Sequence, residues 1–330
     1  MTHKLAPQKF VVTRDRRDEA LAGAVVAMGN FDGVHRGHRA VIAAAQKRAA
    51  ALGAPAAALT FSPHPRRFFR PEEPLFILSD DKAKLRLLAG TGLDGAIVLT
   101  FDAALADTSA EDFVAKILLD RFGVKGVVIG FDFHFGKQRL GSPDFLREQG
   151  ERRGFSVDVI PALEEEGRPV SSGAVRTALA AGKAAEAAAL LGAPWFVSGE
   201  VIHGEKRGRA LGFPTANIKL DSSCGLKHGI YAVRVKADGK VHSGVASFGR
   251  RPMFDNGAPL LEIFLFDFAG DLYGKTVDVA FISWIRAEET FETMDDLKRH
   301  MDADSAKARE ILARENLSRA GAAFPVLGAL

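Results

Sequence analysis

His35 and His38 stand three apart in the string Gly29-Asn30-Phe31-Asp32-Gly33-Val34-His35-Arg36-Gly37-His38. On a helix that spacing puts both imidazoles on one face of a single turn. Imidazoles so placed can donate to phosphate oxygens and stabilise charge developing at an attacked phosphorus. Gly29, Gly33 and Gly37 let the backbone come close to a ligand. A helix start adds unpaired N–H groups and the positive end of a dipole, which favour phosphate. Taken alone, His-x-x-His on a glycine-rich turn reads as a pair of surface histidines. The whole string, set between a strand and a helix, reads as a phosphate site.

A second cluster runs Gly204-Glu205-Lys206-Arg207-Gly208-Arg209-Ala210-Leu211-Gly212-Phe213-Pro214-Thr215-Ala216-Asn217. Thr215 and Asn217 are two apart, so on an extended segment they point the same way. Both offer the oxygen ligands that Mg²⁺ prefers. The glycines before them allow backbone N–H groups to wrap phosphates, although the Gly-Lys-Ser/Thr ending of a P-loop is missing. Glycine content alone would suit a solvated basic loop equally. Glu262 lies within an apolar stretch, 260–266, in which Leu261, Ile263 and Leu265 share one face. Glu262 shares the other with Phe264 and Phe266. A carboxylate among aromatics is expected to have a raised pKa or a partner, which makes it a candidate general base. An outward Glu on a half-buried strand is otherwise simply solvated.

The elements that must carry these residues differ between the halves. Apolar runs at 24–28, 56–61, 95–99, 126–130 and 155–160 have no polar face. They alternate with helical periods at 38–52, 80–89, 110–122, 143–153 and 173–181. That alternation predicts a parallel sheet covered by helices on both faces. After about residue 183 the pattern becomes strands at 196–203, 230–236, 241–248, 260–266 and 277–284. Turn signals such as Asp238-Gly239 and Asn256-Gly257 separate them, as in an antiparallel sheet or small barrel. A charged helical period closes the sequence over 293–316. Two domains are expected, 1–186 and 187–330.

Composition narrows the function classes. The 330 residues are 47% hydrophobic and 26% charged with a formal net charge of +3, ordinary for a globular chain. Without a long Lys/Arg run, no nucleic-acid partner is expected. The single cysteine, Cys224, leaves no intrachain disulfide and argues against a cysteine zinc site. The first ten residues lack the apolar core of a signal peptide. Apolar runs fall far short of the roughly 20 residues that span a bilayer, so a cytoplasmic protein without a membrane partner is expected.

The first string resembles the signature of the HIGH-type nucleotidyltransferase superfamily, in the form found in prokaryotic riboflavin kinase/FAD synthetases. Three later segments are similar to that family's motifs, in order: Phe61-Ser62-Pro63-His64-Pro65, Gly130-Phe131-Asp132-Phe133-His134-Phe135-Gly136, and Ser171-Ser172-Gly173-Ala174-Val175-Arg176. The run from Gly208 to Asn217, and Glu262 with Asp271-Leu272-Tyr273-Gly274 behind it, resemble the riboflavin kinase signature. The resemblance implies an α/β chain: a Rossmann-like HIGH-type nucleotidyltransferase domain with a parallel sheet, then a small antiparallel β-barrel kinase domain with a C-terminal helix. It implies two reactions, riboflavin plus ATP to FMN plus ADP, and FMN plus ATP to FAD plus pyrophosphate, with Mg²⁺ as cofactor.

The same resemblance implies the site residues. His35 and His38 would meet the triphosphate and the transition state, Asn30 would lie near the α-phosphate, Ser171 and Ser172 would meet the triphosphate, and Arg176 the leaving pyrophosphate. Gly29, Phe31, Asp32 and His64 would border the nucleotide, and Asp132 the nucleotide or flavin. The loop 63–76 would cover the flavin ring. In the kinase, Gly204, Gly208 and Arg209 would hold nucleotide, Thr215 and Asn217 would bind metal and phosphates, and Glu262 would take the proton of the riboflavin 5′-hydroxyl. The chain departs from the family's usual residues at Gly173, Ser247, Phe248 and Met253.

Overall fold

A computed structural model describes residues 10–165, 167–203, 213–250, 259–318 and 324–330. Six strands of the first half form one sheet: β1 (Val11–Arg14), β2 (Val25–Met28), β3 (Ala56–Ser62), β4 (Gly95–Thr100), β5 (Gly126–Gly130) and β6 (Ser156–Ile160). All pairings are parallel, in the order β1-β4-β3-β2-β5-β6. Parallel neighbours require crossovers, and the helices between the strands supply them. In α1 (Arg36–Leu52) the buried residues Val41, Ile42, Ala45 and Ala49 recur at helical spacing. The helix stops where Gly53 turns left-handed, at φ 57°, a conformation that costs glycine nothing. Next come α2 (Pro65–Phe69) and α3 (Asp81–Ala89). Asp80 caps α3, its carboxylate accepting from Ala83 N–H at 2.7 Å.

The central strands are buried along almost their whole length. Leu59, Ile97 and Ile129 are at most 1% exposed, and each such side chain contributes roughly 1.5–3 kcal/mol on burial. The expected parallel sheet is present, and β1 is an addition to it. That strand is a short, half-exposed edge, too brief to leave a periodic signal.

The chain divides into two units. The first takes residues up to Leu75, Ser79–Ser171 and Val326–Leu330, and the second takes Phe76–Leu78 and Ser172–Pro325. The break at Ser171 falls earlier in the chain than the change of hydrophobic period at about residue 183 and than the expected division at 186/187. The reason is packing. Val175, Ala178 and Leu179 of α4 (Ser172–Ala180), with Ala187 and Leu191 of α5 (Ala184–Leu191), join the same buried cluster as the later strands. Leu78 belongs there too, and its carbonyl accepts from Trp195 Nε1–H at 2.8 Å. In the first unit, Gly328 N–H donates to Arg86 O of α3 at 2.9 Å.

A two-stranded ribbon, β7 (Glu164–Glu165) and β8 (Arg168–Pro169), completes the strands of the first unit. The strands of the second unit are β9 (Phe196–Glu200), β10 (Thr215–Lys219), β11 (Gly229–Ala237), β12 (Lys240–Arg250), β13 (Pro259–Leu265) and β14 (Thr276–Arg286). They form one antiparallel six-stranded sheet in the order β10-β13-β12-β11-β14-β9. The sheet nearly closes on itself, because Ile202 N–H donates to Asn217 O at 2.9 Å. A Cβ on Gly199 would lie 2.2 Å from Ile218, so the approach of β9 to β10 depends on that glycine. The β11–β12 turn uses Asp238 and Gly239, at φ 48° and 77°, the positive pair a tight hairpin needs. Tyr231, Val233, Phe248, Leu261, Ile263 and Phe281 fill the interior. The C-terminal helix α6 (Met294–Ser318) covers the outer face with Ala308 and Leu312 against Ala232, Val245 and Phe266. A bidentate pair fixes it, Arg286 to Asp304 at 2.9 and 2.7 Å.

Two candidate active sites

In the first unit the chain runs from β2 outward through β3 and β4, then returns to the other side of β2 for β5 and β6. The order therefore reverses between β2 and β5. Open α/β sheets take ligands at that reversal, beyond the carboxyl ends of the strands. The two loops leaving those ends are 29–35 and 131–136, both singled out from sequence.

The loop after β2 is tightly shaped. Phe31, Gly33 and Val34 have φ of 52°, 78° and 43°, and left-handed backbone at Phe31 and Val34 persists only where surroundings enforce it. The enforcing bonds come from Ser79. Ser79 N–H donates to Asp32 Oδ1 at 3.0 Å, and Gly33 N–H donates to Ser79 Oγ at 2.9 Å. Asp32 is buried, and this bond holds the loop. Asn30 O accepts from Thr60 Oγ1 at 3.2 Å. A Cβ on Gly29 would press on the Phe31 ring at 3.3 Å.

His35 is the N-cap of α1. Its Nδ1 accepts from His38 N–H at 3.3 Å, which leaves the proton of the neutral ring on Nε2. The two imidazoles stack with centroids 3.6 Å apart, and Phe31 meets His38 edge-on at 5.2 Å. Burial, and then the neighbouring charge of His35, hold the His38 pKa well below 6.5, so His38 is neutral at pH 7. Its Nδ1 is sealed from solvent and has no hydrogen-bond partner among the described residues. A buried ring nitrogen without a partner is costly and calls for an explanation. Gly37 makes the stack possible, since a Cβ there would sit 3.1 Å from the His35 ring and 3.2 Å from Val170 O.

The other predicted residues of this half are spread. His64 caps α2, its Nδ1 accepting from Arg66 N–H at 3.1 Å. Asp132 is exposed on the loop after β5, and its carbonyl meets His134 Nδ1 at 3.0 Å. Ser171 ends a segment of the first unit, whereas Ser172 and Arg176 belong to the second. There Arg176 Nε donates to Phe76 O at 2.5 Å. Sequence reasoning missed Ser79, Asp81 and Lys84. Lys84 is 6% exposed, and its ammonium donates to Phe61 O at 2.9 Å and pairs with Asp81 at 3.3 Å. Burial pushes its pKa down, against the pull of Asp81 and Asp32 upward, and Arg14 adds to the lowering. A lysine within the buried stripe Ala83, Lys84, Leu87, Leu88 was the available signal, because an unpaired charge there is costly.

The residues expected to serve the second site come together across strands. Thr215 and Asn217 lie on β10 as expected from their spacing. Asn217 is directly opposite Glu262 on β13, and Glu262 is directly opposite Ser247 on β12. Directly opposed residues share a face, so Asn217, Glu262 and Ser247 form one row over three strands. Leu261, Ile263 and Leu265 turn into the barrel and Glu262 turns out, half-buried. Asn217 is only 3% exposed, and its Oδ1 has no hydrogen-bond partner among the described residues. Phe213 packs edge-on against Phe264 at 4.9 Å, next to the row. Of the departures from the usual residues, Ser247 stands in the row and Phe248 is wholly buried in the core. Gly204, Gly208, Arg209 and Met253 lie outside the described residues.

A nucleotide-type α/β unit with paired histidines at its switch point, followed by a small barrel with an Asn-Glu row, defines a two-part phosphate-transferring enzyme. Comparison with known proteins makes this specific. The family described as FAD synthetase matches residues 17–174, and the family described as riboflavin kinase matches residues 191–312. A bifunctional riboflavin kinase/FMN adenylyltransferase of Pseudomonas fluorescens is 42% identical over 88% of this chain and 94% of its own length. Proteins of the same name from Escherichia coli (strain K12) and Bacillus subtilis (strain 168) are 38% and 34% identical, over 87% and 88% of this chain and 92% and 93% of theirs. The chain belongs to the bifunctional riboflavin kinase/FMN adenylyltransferase family, with the adenylylating part first and the kinase second. A solved structure named macrolide-efflux protein, from Streptococcus pneumoniae, superposes with a TM-score of 0.81 at 30% identity, covering 91% of this chain and 99% of its own. Among the described residues of the present chain, no helix is long and apolar enough to cross a membrane.

Proposed function

We propose that the two residue sets divide the labour one reaction to a unit. The observation that carries this reading is the pair of sealed polar atoms with no hydrogen-bond partner among the described residues, His38 Nδ1 in the first unit and Asn217 Oδ1 in the second. Each lies within the residues that the family's chemistry requires.

In the first unit a phosphate oxygen of FMN attacks the α-phosphorus of ATP, and the bond to pyrophosphate breaks. Gly29, Asn30 and Phe31 border the triphosphate, and His35 and His38 donate N–H groups to it. With little covalent work to do, orientation and charge neutralisation supply the rate. His64 borders the nucleotide, and Asp132 the nucleotide or flavin. In the second unit the riboflavin 5′-hydroxyl attacks the γ-phosphorus. Glu262 takes its proton and ADP leaves. Mg²⁺ is the implied cofactor, and the residues fit it: Thr215 and Asn217 are neutral oxygen donors, and Asn217 Oδ1 is buried with nothing bonded to it among the described residues. When bound, the ion would neutralise phosphate charge.

The functional division at 186/187 falls in the stretch between the two family matches, which end at 174 and begin at 191. We place both reactions in the cytoplasm, with small molecules as the partners. The test is to incubate purified protein with riboflavin, ATP and Mg²⁺ and to separate the flavins by chromatography. FMN followed by FAD is expected. FMN without FAD would overturn the assignment of the first unit, and no conversion would overturn both.

A further inference from the structure

The start of α3 is bonded to the loop after β2 and to the end of β3 in the first unit. Ser79 shapes the loop after β2, through its N–H to Asp32 and its hydroxyl to Gly33 N–H. Asp81, in the first turn, accepts from Ser62 Oγ at the end of β3. One turn further on, the buried Lys84 ammonium donates to Phe61 O at 2.9 Å, on the last stretch of the same strand. Phe61 and Ser62 run directly into Pro63 and His64, the second loop. Side chains from a single helix start therefore fix two loops that are far apart in sequence. None of these groups needs to reach a ligand, because each is already bonded within the protein.

We propose that Lys84 and Ser79 form a clamp that sets the spacing of the loop leading into His35 and His38 against the loop carrying His64. Lys84 is thus a positioning residue for FMN adenylylation. The inference rests on the reading that these loops hold ATP. An ammonium suits the task because its charge-assisted bond to a carbonyl is strong when water is excluded. A neutral apolar side chain of similar length would fill the space and release the strand end. Misplacement of reacting groups by about 1 Å can cost on the order of 100-fold in rate.

The test uses the full chain, and riboflavin kinase turnover reports on the fold. Lys84→Met is expected to lower kcat for FMN adenylylation by roughly 10- to 100-fold, to raise KM for ATP by less than about threefold, and to leave kinase turnover within about twofold. Adenylylation within twofold of the parent, or a loss confined to KM, would overturn the clamp. Should Lys84→Met unfold and lose both reactions, Ser79→Ala decides, since it removes one hydroxyl. A tenfold fall in adenylylation kcat with normal kinase turnover supports the clamp, and parental adenylylation overturns it. His38→Ala separates this from the underlying reading. If His38→Ala adenylylates normally, the site assignment itself fails. If His38→Ala is inactive and the α3 variants are normal, only the clamp fails.

Discussion

The α/β unit and the barrel build phosphate chemistry in opposite ways. In the α/β unit one stretch of consecutive residues, a loop and the first turn of α1, carries the histidines, and the loop's shape is enforced by bonds from the start of α3. Position is set locally by left-handed backbone at Phe31 and Val34 and by the stack of His35 on His38. In the barrel the row Asn217, Glu262, Ser247 takes one residue from each of three strands, so position is set by register. A slip of one residue in β10 would turn Asn217 into the core. The loop site is thus exposed to changes in backbone shape, and the row to changes in pairing.

The largest expected effect is a clean exchange of activities. Glu262→Ala should lose FMN formation by about 10²- to 10⁴-fold while supplied FMN still becomes FAD, and His38→Ala should do the reverse. Loss of both reactions in either folded variant would end the comparison. A smaller effect is expected from Asn217→Ala, which removes the oxygen proposed to meet the metal ion and phosphates. Such contacts contribute roughly 1.5–3 kcal/mol, so kinase kcat/KM should fall about 10- to 100-fold, partly restored by raising Mg²⁺. Adenylylation kinetics of the same variant should not change. Gly37→Ala sharpens the loop side: the added methyl must displace the His35 ring, and adenylylation should fall on the order of tenfold with the kinase untouched.

The smallest effect is in stability. The folded pKa of His38 is depressed, so on acidification the unfolded chain takes up its proton first. His38 therefore costs stability as pH falls below 6.5 toward its folded pKa, at up to about 1.4 kcal/mol per pH unit. Thermal unfolding across roughly pH 7 to 5 should show a shallower loss for His38→Gln than for the parent. Equal slopes would mean that His38 is not sealed.

Much of the α/β site was legible because its residues are neighbours in the chain and follow a strand with no polar face. The barrel site was legible residue by residue but not as a row. Thr-Ala-Asn-Ile-Lys in β10 has no clear alternation, and nothing local announces that Asn217 meets Glu262. Lys84 was hidden by its helix, where a lysine every turn or so is ordinary. Only its place among buried Ala83, Leu87 and Leu88 sets it apart. The segment holding Arg176 reads with the half that precedes it, yet Val175, Ala178 and Leu179 are drawn into the barrel core by tertiary packing, which no local period encodes.

The interleaving of the two units has a consequence for biosynthesis. Leu78 is made early but belongs to a core whose strands follow Trp195, and residues 326–330 emerge from the ribosome after the whole barrel sequence yet pack on α3. The second unit has all its residues once its main block has been translated, whereas the first does not. The first must wait, with the end of α3 uncovered, until translation has passed the second.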